Sequence, residues 1–189
     1  MTHIAIFVSG GGTNCENIIR HFSGSTEVSI DLVLSNRTDA YALVRAQRLG
    51  VKTAVLGRAD FNNEQRLMPL LEGIDFIVLA GFLLMAPPFL TAAYPHRMLN
   101  IHPALLPKYS GKGMYGHHVH EAVKAANEKE TGITIHYVSD ECDGGEIVFQ
   151  ATTPVLPQDT PEDIAAKVHE LEQAHFPRVI EEVVRATFE

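Results

Sequence analysis

The chain has 189 residues, 46% of them hydrophobic, and a formal net charge of −8. That length and apolar share suit a single folded domain over residues 1–189 and exclude a mainly disordered chain. The negative balance argues against nucleic acid as a partner, because phosphate backbones require a basic face, yet it leaves room for a small anion held by backbone N–H groups.

Apolar runs alternate with amphipathic segments from the start. "HIAIFV" (His3–Val8) reads as a buried strand rather than a signal peptide, since no basic leader precedes it. A glycine-rich loop and a helix over Asn14–His21 follow, then a second strand, Val28–Ser35. "DAYALVRAQRLG" predicts a helix with Asp39 as N-cap and Gly50 just past its end. "KTAVL" is a third strand, and "NNEQRLMPLLE" a helix weakened by Pro69. "DFIVLAGF" (Asp75–Phe82) is a fourth strand, buried on both faces. "PPFLTAAY" predicts a short helix with prolines in its first turn, and "RMLNIH" a fifth strand.

The pattern then changes. A helix over "GHHVHEAVKAANEK" precedes two strands, "GITIHYVS" and "EIVFQATTPV", joined by "DECDGG". A long closing helix spans Thr160–Ala186, with Thr160, Pro161 and Asp163 as its capping sequence. The fold expected is α/β: an open, mostly parallel, Rossmann-like sheet with a C-terminal β-hairpin and a closing helix. Sites in such sheets lie at the carboxyl ends of the strands. No stretch approaches the ~18 apolar residues of a membrane span. Cys15 and Cys142 form no C-x-x-C pair and read as reduced thiols of a cytoplasmic protein.

The loop "SGGGTN" (Ser9–Asn14) links the first strand to the first helix. Its glycines let the backbone approach a ligand, and the helix end adds free N–H groups, so a phosphomonoester is the preferred occupant. It is no P-loop, and the dinucleotide motif fails because Cys15 stands where the third glycine belongs. The acidic residue expected after the second strand is also replaced, by Ser35 and Asn36.

"LNIHPALLPKYSG" puts Asn100 and His102 two residues apart, on one face of an extended chain. An amide N–H suits an oxyanion, and an imidazole moves protons near neutral pH. A carboxylate orients an imidazole and favours its charged form. Asp140, Glu141, Asp143 and Glu146 are the candidates, and the glycines after Asp143 favour it. Spacing alone leaves open whether these groups meet, or whether Asp143 merely makes a hairpin turn. "HHVH" places His117, His118 and His120 near Glu121, but no H-E-x-x-H or Cys/His set accompanies them. A polar helix start is expected there, and no metal.

Taken together, "FVSGGGTN", "VLSNRTDAYALVRAQRLGV", "VLAGF", "LNIHPALLPKYSG" and "HYVSDECDGGEIVFQ" make the chain resemble the phosphoribosylglycinamide formyltransferases, folate-dependent enzymes of purine biosynthesis. The resemblance covers nearly the whole chain and implies the formyltransferase fold. It implies 10-formyltetrahydrofolate as co-substrate, no metal, and Asn100, His102 and Asp143 as catalytic residues. It further implies Gly11, Gly12, Thr13 and Asn14 around the phosphate of the acceptor and, by the motif "HELEQAHFP", Glu172 on its glycinamide. The folate is expected against Leu83, Leu84, Met85 and Ala86, beside Asn100, Val138 and Asp140. His117 would take the place of a family site histidine.

The chain departs from the family pattern at three places. Leu83-Leu84 stands for Met-Arg, Glu64 stands for a basic residue with Arg66 nearby, and "GKGMYGHHVHEAV" is lengthened. Small molecules are the expected partners of a monomer or homodimer, with neither nucleic acid nor membrane. Alternatives are a methionyl-tRNA formyltransferase, a formyltetrahydrofolate hydrolase, and a non-catalytic phosphosugar-binding protein.

Overall fold

The computed structural model describes residues 1–189. Its centre is one seven-stranded sheet: β1 (Thr2–Val8), β2 (Val28–Ser35), β3 (Lys52–Val55), β4 (Phe76–Leu79), β5 (Met98–His102), β6 (Glu130–Tyr137) and β7 (Ile147–Pro154). The order is β3-β2-β1-β4-β5-β6-β7. The first five strands run parallel, and β6 and β7 add an antiparallel edge.

Alternation along each strand divides the core in two. Ile4, Ile6 and Val8 face the layer formed by α1 (Thr13–Phe22), α2 (Tyr41–Arg48), α6 (His117–Ala125) and α7 (Pro161–Phe188). Ala5 and Phe7 face the opposite layer of α3 (Arg58–Phe61), α4 (Glu64–Leu67) and α5 (Pro88–Ala93). Both faces of β4 are covered, which is why Phe76–Leu79 reads as an unbroken apolar run.

Several boundaries differ from those expected. Asp39 does not cap α2; it binds Arg37 at 3.0 Å, and Ala40 holds the cap position without a side-chain bond. Gly50 does follow that helix, at φ 78°. The helix expected over "NNEQRLMPLLE" breaks into α4 and a 3₁₀ turn, Met68–Leu71, because Pro69 brings no N–H to an α-helical ladder. The short α3 had no periodic signal of its own. β4 ends at Leu79, and Gly81 at φ 72° turns the chain away. The Thr160–Asp163 capping box forms at the start of α7.

Candidate active site

The loop after β1 packs against α2. Gly12 adopts φ 79°, and a Cβ there would lie 2.4 Å from that of Ala42, so only glycine fits. Ala42 N–H donates to the Gly10 carbonyl at 3.1 Å, and Arg45 Nε donates to the Gly11 carbonyl at 2.8 Å. Asn14 Nδ2 donates to Glu172 Oε2 at 3.1 Å, joining α1 to α7. Burial pushes the Glu172 carboxyl above its ordinary pKa, while Asn14 and His169 oppose the shift.

Ser9 ties this loop to its neighbours. Its hydroxyl donates to Asn36 Oδ1 at 2.5 Å and accepts from Leu83 N–H at 2.9 Å. Beyond that tie, Leu83 and Met85 are about half exposed (49% and 47%), whereas Leu84 and Ala86 turn into the core. The segment therefore offers an apolar surface and backbone groups to one cavity of about 640 Å³. Val138 lines the same cavity. Asp140 does not; it is exposed and accepts from Thr91 Oγ1 at 2.5 Å.

Asn100, His102 and Asp143 all reach this cavity. His102 Nδ1 faces Asp143 Oδ2 at 3.7 Å, with side chains only 5% and 11% exposed. Its Nε2 lies 2.6 Å from the Tyr109 carbonyl. A carbonyl only accepts, so Nε2 carries hydrogen and Nδ1 is the nitrogen turned to Asp143. Gly111 N–H donates to Asp143 Oδ2 at 3.3 Å. Asp143 itself sits at φ 53°, in a region that Asp tolerates better than most residues. A Cβ on Gly145 would meet the Tyr137 carbonyl at 1.7 Å, so the turn needs glycine there.

Sequence reasoning missed His136. It lies directly opposite Asn100 in the β5–β6 register, so the two side chains share a face. His136 Nδ1 donates to the Tyr137 carbonyl at 2.9 Å, which leaves Nε2 to accept from Asn100 Nδ2 at 3.0 Å. Burial holds the His136 pKa below its ordinary value, keeping that acceptor neutral. The amide is thereby oriented, with its second N–H available to a ligand. No signal within one strand reveals this pair; only the register does.

His117 lies outside the cavity wall and pairs with Glu162 at 3.3 Å and Glu121 at 3.7 Å. His120 is the α6 histidine on the wall: 6% exposed, with Nδ1 unpartnered and its pKa lowered by burial and then by His117. No group of three or more His, Cys, Asp or Glu side chains is placed to hold a metal ion.

Residues 2–180 match the formyl transferase family. The chain is 38% identical over 187 residues to the phosphoribosylglycinamide formyltransferase of Haemophilus influenzae, covering 95% of this chain and 86% of that one. It is 36% identical over 185 residues to the Escherichia coli protein of the same name, covering 94% and 85%. The solved phosphoribosylglycinamide formyltransferase of Anaplasma phagocytophilum superposes with TM-score 0.88 at 32% identity, covering 98% of this chain and 88% of that one. The Streptococcus pneumoniae structure gives 0.85 at 35%, covering both chains fully. A match across nearly the whole length, together with this open sheet, places the chain in the formyl transferase family of enzymes.

Proposed function

We propose that the protein transfers the formyl group of 10-formyltetrahydrofolate to the amine of phosphoribosylglycinamide, within purine biosynthesis. The observation that carries this reading is the meeting of Asn100, His102 and Asp143 in one cavity, which an apolar ledge lines together with Asn14 and Glu172. The ledge at Leu83 and Met85, flanked by Val138, suits a flat heterocycle. Gly11, Gly12, Thr13 and Asn14 suit the acceptor's phosphate, and Glu172 its glycinamide end.

The co-substrate supplies an activated formyl carbon, which the acceptor amine attacks directly. Asn100, held by His136, donates its second N–H to the oxygen on which negative charge develops, a contact type worth about 3–4 kcal/mol in other enzymes. His102 adds charge stabilisation and carries the proton from the incoming amine to the departing nitrogen, through Nδ1. Asp143 stabilises that ring when it is charged. The 3.7 Å gap between them exceeds a hydrogen bond and is expected to tighten with substrates in place. No covalent enzyme intermediate is required.

The test is folate absorbance with 10-formyltetrahydrofolate, with and without phosphoribosylglycinamide, on wild type and His102→Ala. Amine-dependent turnover that the variant loses is the expected result. Turnover without the amine would mean hydrolysis, and binding without turnover would mean a phosphosugar-binding protein; either would overturn the proposal.

A further inference from the structure

The glycine loop owes its orientation to α2. A trans peptide points its C=O and the following N–H in opposite directions. The Gly10 carbonyl is turned toward Ala42 N–H, so the Gly11 N–H points away from α2. The Gly11 carbonyl is turned toward Arg45 Nε at 2.8 Å, so the Gly12 N–H points away as well. Neither N–H has a backbone partner in the protein. The two ties differ in kind: one is backbone to backbone, and the other depends on a single side chain.

That side chain is itself held. Arg45 Nη1 pairs with Glu16 Oε2, and its guanidinium lies 5.0 Å from the centre of the Tyr41 ring. Glu16 is further bound by Arg20 at 2.9 Å. Arg45 and Glu16 are only 28% and 24% exposed, so the pair is partly shielded from solvent. The peptide they control joins two glycines, and a Cβ on Gly11 would meet nothing within 4 Å. Sterics therefore constrain that peptide only at its Gly12 end, against Ala42, and leave its Gly11 end free.

We propose that Arg45 is a positioning residue for the acceptor's phosphate: it holds the Gly11 carbonyl toward α2 and so aims the Gly12 N–H into the anion cradle. The inference rests on the reading of this loop as the phosphate site. It adds a residue outside the loop that acts without being one of the loop's own donors. Arg45 has a second consequence, since it offsets the Glu16 charge that would otherwise oppose an anion at the start of α1.

Steady-state kinetics with phosphoribosylglycinamide and its phosphate-free analogue, ribosylglycinamide, test the proposal. For Arg45→Met, KM for the phosphorylated acceptor is expected to rise roughly ten- to a hundredfold, the weight of one charge-assisted hydrogen bond, while kcat at saturation and KM for the analogue stay put. Arg45→Lys keeps the charge but not the planar fork, and its KM is also expected to rise; full rescue by lysine would overturn the orienting role. In Arg45→Met/Glu16→Gln the repelling charge is gone, so a KM restored to wild type would likewise show that only electrostatics mattered. An equal rise for both acceptors would mean general loosening and would also defeat the proposal. If wild type prefers the phosphorylated acceptor and Arg45→Met keeps that preference, this inference alone fails. If wild type shows no such preference, the phosphate reading fails with it.

Discussion

The glycine loop after β1 and the polar corner of the cavity are built on different principles. At the glycine loop the groups without a backbone partner are the Gly11 and Gly12 N–H groups, oriented by carbonyls tied to α2 and drawn from one short stretch. At the corner proposed for catalysis the groups are side chains from β5 and from the turn after β6, each oriented by a different neighbour: Asn100 by His136, His102 by the Tyr109 carbonyl, Asp143 by Gly111 N–H. A backbone cradle depends on few side chains beyond its glycines and their anchor. A side-chain constellation fails when any member or support is lost.

The largest effects should fall on the catalytic corner. Asn100→Ala and His102→Ala should each lower kcat by about 10²–10³-fold, and the double variant should be little worse than either, because they act as a set. Multiplying losses in single-turnover kinetics would show instead that they act independently.

The cradle should separate steric need from ligand approach. Gly12→Ala places a methyl against Ala42 at a positive φ, so a stability loss of about 1–3 kcal/mol is expected in denaturant titrations. Gly11→Ala meets open space, so the same titration should show stability near wild type while KM for the phosphorylated acceptor rises. Equal stability losses at the two positions would contradict the difference drawn here.

His136→Ala should cost less than Asn100→Ala, roughly tenfold in kcat, since it removes the orientation of the amide rather than the amide. In an Asn100→Ala background it should add nothing further. A loss of the same size in both backgrounds would assign His136 some other role.

Glu172 joins function to instability. Its carboxyl pKa is raised by burial, so the folded state carries a cost that grows as pH rises from the ordinary carboxylate range and is fully present only above the raised value. Glu172→Gln should therefore raise Tm at pH 7, by about 2–4 °C, while raising KM for the acceptor. A lower Tm would show that the charge is better satisfied than its burial implies.

The smallest effect is acid sensitivity. Burial lowers the pKa of both His120 and His136 from 6.5, so the unfolded chain binds more protons once pH falls below that value, and stability declines. His136→Gln should flatten the slope of Tm against pH between about 7 and 5.5 relative to wild type. An unchanged slope would remove His136 from that account.

Much of the scaffold was legible in the sequence because its signals are local. The unbroken apolar runs of β1 and β4, the change of pattern before β6, and the Thr160–Asp163 box all act within a few residues. Asp39 misled because it satisfied the pattern of an N-cap while α2 starts at Tyr41, which leaves Asp39 one residue before the cap position, paired with Arg37. The α6 histidines show a related limit. Helical spacing ranks His117 and His120 alike, and only the packing of α6 decides which ring is buried.

The sequence by itself determined the order of the strands and the longer helices, the glycine loop at the first turn, and Asn100, His102 and Asp143 as residues eligible for chemistry, because each follows from side-chain periodicity or backbone freedom over short range. Tertiary structure alone decided that His136 faces Asn100, that the Tyr109 carbonyl selects the hydrogen-bearing nitrogen of His102, and that Arg45 reaches back to Gly11. Those pairings depend on strand register and helix packing, which bring together residues that no pattern along the chain connects.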